Sequence, residues 1–458
     1  MSATPGTDPT DDLLALLDRL VDRAQPGEGV EVYAVDETET TIKAYGGEVE
    51  TLSSARTRGV GVRVLADGRI GYAYTADLAE SALDETLQQA RSNATVATPD
   101  EANRLASADG SLPVLPQIYR EAFADIDPAQ KVDLALQLEA ATLRGGAPVR
   151  GVDSAQYGDR EGTAAIATTT GVRGAYRSCE AHCIVEALAE ADGASASAYG
   201  LSLGRLPTDL DVEGAAAEAV ERVTGLLGGR KPSSGALPVI LDPFAAAAFL
   251  GVLAGALTAD AVQKGRSLFA GRVGEQLGGA YLSLIDDGRL IDGPAAAPWD
   301  GEGVPTGRTA LIDGGVLAGY LHNTYTAAKE GTQSTGNASR AGFASPPGLS
   351  ASNLYLVPGD ADPQALLAQA GSAFYCQNVL GVHSGANPIS GDFSVGANGR
   401  MVRDGVLAEP VREATIAGTI PGMLAGLVAV ANDLRWLPFG VAIGTPTLLL
   451  EGMTLGGA

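Results

Sequence analysis

A chain of 458 residues with 31 Lys and Arg against 55 Asp and Glu carries a net charge of -24, which repels phosphate backbones and anionic membrane surfaces, so no nucleic acid and no membrane is expected as a partner. Its length implies two or three domains at about 150 residues each. No run approaches the ~20 apolar residues that span a bilayer, the polar start MSATPGTDPTDD lacks a signal-peptide pattern, and Cys179, Cys183 and Cys376 suit reduced thiols, so a cytoplasmic protein without disulfides is expected.

Residues 1–10 read as a disordered start. Leu13, Leu14, Leu16, Leu17, Leu20 and Val21 then recur at helical spacing, predicting an amphipathic helix from Asp11 to about Ala24 that Pro26-Gly27 ends. Alternation at Val30, Val32 and Ala34, at Val60, Val62 and Val64, and at Ile70, Tyr72 and Tyr74 predicts strands, the last two joined at Asp67-Gly68. Helices follow from about Asp77 to Ala97 and from Asp127-Pro128, an N-cap and first-turn pair, to Leu143. An antiparallel meander over 150–203 is closed by an Ala-rich helix from Asp211 to Leu227.

Gly228 to Gly235 mixes Gly, Pro and Ser and marks a linker at 229–235, which divides an N-terminal domain (11–228) from a C-terminal one (236–458). The second half opens with a strand at Leu237–Leu241 and a helix from Asp242 to about Gln263. Hairpin signals recur at Asp313-Gly314-Gly315 and Asp404-Gly405. The fold class is α+β: an N-terminal domain of helices packed on an antiparallel sheet, and a C-terminal domain largely of antiparallel β with a few helices. The 60 glycines suit a hairpin-rich chain, and no internal repeat at a solenoid period is visible.

The sequence offers little chemistry of its own. Cys179-Glu180-Ala181-His182-Cys183 contains three ligand types, but in a strand the two cysteines face one side and Glu180 with His182 the other, so a buried cysteine pair is expected in preference to a zinc site. His322 and His383 are isolated, with surface or hydrogen-bonding roles expected, and no G-x-S-x-G elbow or phosphate loop is present. Asp300 and Glu302 read first as a solvated acidic turn and second as a contact to a peptide amine. The Gly391–Gly399 run reads as tight turns around Asp392, whose carboxylate caps backbone N–H groups, with a place along a peptide cleft as the alternative.

The run Lys264-Gly265-Arg266-Ser267-Leu268-Phe269-Ala270-Gly271-Arg272-Val273-Gly274-Glu275 resembles one element of the TldD/PmbA family. So do Asp300-Gly301-Glu302-Gly303-Val304-Pro305-Thr306, Ser334-Thr335-Gly336-Asn337, the stretch from Ile389 to Gly399, Ala414–Gly418 and Val428–Asp433, in the family's order over about two hundred residues. The TldD branch carries an H-E-x-x-x-H zinc motif on the preceding helix. Counted back from Phe269, its three functional positions fall on Leu250, Gly251 and Gly255, none of which ligates zinc or activates water. The Cys that TldD bears near its C-terminus is also missing from Trp436–Gly440.

The resemblance is thus to the other branch, TldE, also called PmbA. It implies a metal-free, non-catalytic subunit that binds no cofactor itself and assembles with a zinc-bearing TldD-like metallopeptidase. The pair would cleave flexible peptides, including leader segments of modified peptides and unfolded proteins, in a shared cleft. Arg272 and Glu275, matching a family S-G-R-x-G-E sequence, are expected to form a buried or interface salt bridge. Asp300, Glu302 and Asp392 are the further cleft or interface candidates. Two alternatives stay open: a regulatory adaptor of gyrase-modulator type acting through protein contacts, and a stand-alone hydrolase with an unrecognised site.

Overall fold

The computed structural model describes residues 9–108, 110–387, 389–438 and 441–457. The first eight residues of the expected disordered start lie outside these, whereas Pro9 and Thr10 already belong to the first helix, α1 (Pro9–Val21). There follow β1 (Gly29–Tyr45), β2 (Glu48–Ala66), β3 (Arg69–Thr75), α2 (Glu80–Val96), α3 (Pro128–Leu143), β4 (Val149–Thr168), β5 (Arg173–Ala191), β6 (Ala194–Gly204) and α4 (Val212–Thr224). Asp127 and Asp211 cap α3 and α4 by accepting from the backbone N–H of Ala129 (2.9 Å) and Gly214 (2.8 Å), which satisfies donors that a helix start leaves open.

The six strands form one antiparallel sheet in the order β3-β2-β1-β4-β5-β6. That order is symmetric about the β1/β4 pair, and each half reads helix, three strands, helix. The two halves use one packing device twice. A Cβ on Gly71 of β3 would lie 1.9 Å from the Ala90 carbonyl oxygen of α2, and one on Gly200 of β6 would lie 1.9 Å from the Ala215 oxygen of α4. Only glycine admits so close a helix backbone.

All four helices cover one sheet face. Val30, Val32, Ala34, Val60, Val62 and Val64 meet Leu13, Leu17, Leu20, Leu83 and Leu87 in one half, and Ile42, Tyr157, Cys183, Val185 and Ala187 meet Leu138, Ala215 and Val223 in the other. These are the alternate residues that the strand periodicity selects. The opposite face, with Tyr33, Val35 and Ile166, packs on Trp299 and Val304 of the second half of the chain.

That second half begins with β7 (Gly235–Leu241), α5 (Pro243–Ala256) and α6 (Ala259–Gln263). The single helix expected over 242–263 is therefore two. Thr258 adopts an extended backbone, with φ -84° and ψ 139°, and its side chain caps α6. A strand at Asp392–Arg403 is flanked by Ala373–Leu380 and Val406–Thr419; together with β7 and Leu448–Gly456 these close into a ring, because Val406–Thr419 also pairs with Leu448–Gly456. The hairpins expected at Gly314-Gly315 and Asp404-Gly405 form. Among the described residues, two strand pairings are parallel, β7 with 373–380 and 353–356 with 442–445, within a domain largely antiparallel as expected. A second sheet, running from 316–317 through 308–313, 284–287 and 353–356 to 442–445 and 435–437, shares one core with the ring and α5.

Candidate functional site

Helix α5 is apolar on nearly every side and buried over most of its length, as a helix enclosed by two sheets must be. Asp242 caps its start from 2.9 Å, held by Arg222 of α4 at 2.7 Å and by the Tyr375 hydroxyl at 3.0 Å. Its outward stripe is Ala248, Gly251, Val252 and Gly255, and both glycines are exposed. Gly251 and Gly255, one turn apart, line a surface cavity of about 330 Å³ with Val252, Ala256, Ala261, Arg266, Val382 and Ala386. Leu250 does not join them. It is buried at 4% exposure among Leu241, Phe249, Leu253 and Leu282.

A divalent metal does not fit this place: the lining side chains are aliphatic or absent, and the Arg266 guanidinium repels cations. Among the described residues, no three His, Cys, Asp or Glu side chains cluster to hold an ion elsewhere.

The second constellation lies where the N-terminal sheet meets the loop 300–306. Asp300 and Glu302, expected as a solvated turn, are 7% and 1% exposed. Asp300 accepts backbone N–H groups from Glu302, Val304 and Ala338 at 2.8–2.9 Å and so shapes the loop around itself. Glu302 accepts from Arg63 of β2 at 3.0 Å and from the Thr324 N–H at 2.9 Å. Arg63 also pairs with Glu31 of β1, which in turn pairs with Arg340.

Two carboxylates and two guanidiniums are thereby sealed between the halves of the chain. Burying Glu31 or Glu302 without a cation would be costly, and Arg63 and Arg340 supply the positive charge that lets the turn lie away from water. Burial alone would lower the Arg63 pKa, but Glu31 and Glu302 more than offset this and raise it. Glu31, Arg63 and Arg340 escape sequence reading. Glu31 in β1 and Arg63 in β2 occupy the polar phase of the alternation, which in an antiparallel strand ordinarily faces water, and Arg340 stands in the loop after Ala338–Ser339.

Burial, and then the neighbouring charge of Glu302, push the Asp300 carboxyl up to about 7. A folded pKa above the unfolded one means that the folded chain binds the extra proton, so this contribution to stability is present at low pH and lost between about 4 and 7. Urea midpoints of wild type and Asp300→Asn, compared from pH 5 to 8, should converge with rising pH as wild type loses this stability and the amide does not. A difference independent of pH would refute this.

Two cavities adjoin this network. Tyr33, Tyr176, Trp299, Asp300, Asn337 and Arg340 line a cavity of about 260 Å³. One of about 300 Å³, lined by Glu37 and Arg160, shares Tyr33, Tyr176 and Arg340 with it.

Models of three PmbA/TldA metallopeptidase domains match in order: domain 1 over residues 30–94, the central domain over 121–227 and the C-terminal domain over 234–457. The chain belongs to the PmbA/TldD family. It is similar to the metalloprotease PmbA of Escherichia coli O157:H7, 27% identical over 89% of this chain and 88% of that one. It is likewise 27% identical to the metalloprotease PmbA homolog of Haemophilus influenzae, over 94% and 93%. Among solved structures, one from Thermotoga maritima named for modulation of a DNA gyrase has a TM-score of 0.88 at 28% identity, covering 97% of this chain and 99% of that one. TldE from Thermococcus kodakarensis shares the fold, with a TM-score of 0.87 at 21% identity over 98% and 99%.

Other positions of this PmbA/TldD chain behave unequally. Arg272 and Glu275 do pair, at 2.7 Å, but with side chains 30% and 53% exposed the bridge lies at the surface of this chain and is not buried. Asp392 is exposed at the head of its strand. The turn before it is capped instead by Asn387, which accepts from the N–H groups of Ile389 and Ser390. His322 is buried, with Nε2 3.6 Å from Glu330 and Nδ1 without a partner, and burial lowers its pKa. The His383 side chain, and Phe439 and Gly440 of the Trp436–Gly440 stretch, lie outside the described residues.

In β5 the faces divide as the strand period requires. Cys179 and Cys183 are buried, and burial pushes the Cys183 thiol up to about 11. Glu180 and His182 line a cavity of about 510 Å³ with Arg120, Arg205, Asp292 and Trp436.

Proposed function

We propose that this chain is the non-catalytic, TldE-like subunit of a heterodimeric zinc metallopeptidase, whose zinc and catalytic base belong to a TldD-like partner. The observation that carries the reading is the outward stripe of α5. Of the positions that the family's zinc motif would occupy, Gly251 and Gly255 lie on that stripe and Leu250 points into the core, and the cavity beside the two glycines has an aliphatic lining with one arginine. The relatives named PmbA align over about nine tenths of this chain, whereas a TldD homolog from Buchnera aphidicola aligns over 52% of it, which favours the same branch.

The substrates are flexible peptides, such as leader segments of modified peptides or unfolded proteins, and this chain forms part of the cleft that receives them in the cytoplasm. An extended substrate is recognised through its backbone, which makes sequence tolerance natural. The gyrase-related name of the Thermotoga maritima protein suggests a regulatory role as a second reading. With a net charge of -24, such a role acts through protein contacts.

Purification with and without a TldD-like chain, followed by zinc analysis and cleavage of an unstructured peptide, tests the proposal. Zinc and cleavage are expected only in the mixture, and both should vanish when the partner's motif histidines are replaced by Ala. Zinc and cleavage in this chain alone would overturn it.

A further inference from the structure

We infer that the space between the N-terminal sheet and the loop 300–306 is a binding site for a primary ammonium group, held by Asp300, Tyr33 and Tyr176 beside the Trp299 ring. This goes beyond the assignment above and does not depend on it. The sequence allowed an amine contact as the second reading of Asp300 and Glu302.

The charges of the cluster do not balance. The carboxylates of Glu31, Asp300 and Glu302 lie buried with the guanidiniums of Arg63 and Arg340, so the cluster is one positive charge short whenever Asp300 is ionised. The partners of Asp300 are backbone N–H groups, which carry no net charge. The shortfall shows in its acidity, since burial and the Glu302 charge hold the Asp300 carboxyl up at about 7. Asp286, just behind the cavity wall, holds the Asn337 amide at 2.6 Å and has no ion pair among the described residues. It is a further buried acid without a cation.

A buried acid can answer such a shortfall by staying protonated. The aromatic wall points to a ligand instead. Tyr33 is 9% exposed, and both Tyr33 and Tyr176 line the two cavities. Neither phenol hydroxyl has a hydrogen-bond partner among the described residues, and neither oxygen is sealed within packed side chains. Buried tyrosines ordinarily find a partner for that group. Asp300 Oδ2 accepts only the Ala338 N–H, so it keeps a free lone pair. One carboxylate oxygen and two phenol oxygens match in number the three N–H donors of a primary ammonium, whereas a quaternary ammonium has none to offer.

The rings suit a cation as well, because tyrosine and tryptophan faces attract ammonium and guanidinium groups. The Arg340 guanidinium already sits 4.6 Å from the centre of the Tyr33 ring, and Tyr176 meets Trp299 edge to face at 4.8 Å. A metal ion fits less well: among the described residues, no three His, Cys, Asp or Glu side chains converge to replace its water. The cavity of about 300 Å³ continues past the two tyrosines to Glu37 and Arg160 and gives room for the chain that carries the amine.

The two tryptophans of the chain are Trp299 and Trp436, so Trp436→Phe leaves Trp299 as the sole emitter, at the cavity. Its emission in the full chain is titrated at pH 8 with butylammonium chloride, with potassium chloride and with three unstructured peptides. One peptide lacks lysine and has a free amino terminus, the second is its acetylated form, and the third is acetylated with one internal lysine. A saturable change is expected with butylammonium and with at least one amine-bearing peptide, and none with potassium or the acetylated lysine-free peptide. Which peptide binds distinguishes an amino terminus from a lysine side chain. Tyr33→Phe with Tyr176→Phe, which removes only hydroxyls that bond nothing in the chain, should weaken binding by roughly tenfold, as should Asp300→Asn. No response to butylammonium, an equal response to potassium or to the acetylated lysine-free peptide, or unchanged affinity in the variants would overturn the inference. Zinc content and cleavage with a TldD-like partner are read separately and decide the function proposed above.

Discussion

Replacing Arg63 by Ala is expected to cost about 3–5 kcal/mol of stability, far more than any exposed arginine. The arginine is 4% exposed and lies between Glu31 and Glu302, each 1% exposed. Its removal leaves Glu302 facing only the Thr324 N–H and Glu31 facing only Arg340. The cost is that of uncompensated buried charge, rather than the net worth of the pairs, because desolvation cancels much of the Coulombic gain while the network is intact.

Two controls isolate the cause. Arg144→Ala breaks a bridge to Glu213 whose side chains are 61% and 74% exposed, and it should cost under about 1 kcal/mol. Arg63→Met combined with Glu31→Gln and Glu302→Gln should recover part of the loss, since no charge is then stranded except that of Arg340. Urea unfolding followed by tryptophan emission reads all three, with Trp299 beside the network. If Arg63→Ala shifts the midpoint no more than Arg144→Ala does, the network is not what joins the two halves.

The second large effect concerns the paired glycines. Gly71→Val and Gly200→Val should each destabilise the chain by about 3 kcal/mol or more, because the Cβ alone would collide with a helix backbone oxygen at 1.9 Å and a backbone cannot swing aside as a side-chain end can. The equivalence of the two halves predicts losses of similar size. At Gly151, where nothing lies within 4 Å of a Cβ, Gly→Val serves as the neutral comparison. Equal midpoints for all three variants would contradict the close helix–sheet approach. A large loss at only one of Gly71 and Gly200 would contradict the equivalence of the halves.

These cases divide what the sequence carries from what it does not. The period-two pattern of Val30, Val32 and Ala34 and of Val60, Val62 and Val64, together with the caps at Asp127 and Asp211, gave the strands, helices and α+β class directly, since each depends on neighbours within a few residues. The same locality explains why Cys179 and Cys183 could be assigned to one face of β5 as a buried pair, and Glu180 and His182 to the other. The family motifs, read in order, pointed to the helix that is α5; the placement of a zinc motif's three positions on it is an expectation of the resemblance.

Other features depend on residues far apart in the chain. Asp300 and Glu302 look like a solvated turn until Arg63, more than two hundred residues earlier, is brought against Glu302 and the Ala338 N–H against Asp300. Leu250 and Gly251 are adjacent in sequence, yet one fills the core and the other faces a cavity, because α5 is enclosed by two sheets and only one narrow stripe emerges. Alternation showed β2 packing from Val60, but not that the eleven residues from Glu48 to Arg58 form a bare edge, because β3 is too short to reach them. Local patterns are written in the sequence because backbone geometry repeats every two or 3.6 residues. Ion-pair partners, glycine contacts and free edges have no such period, and only the packed chain decides them.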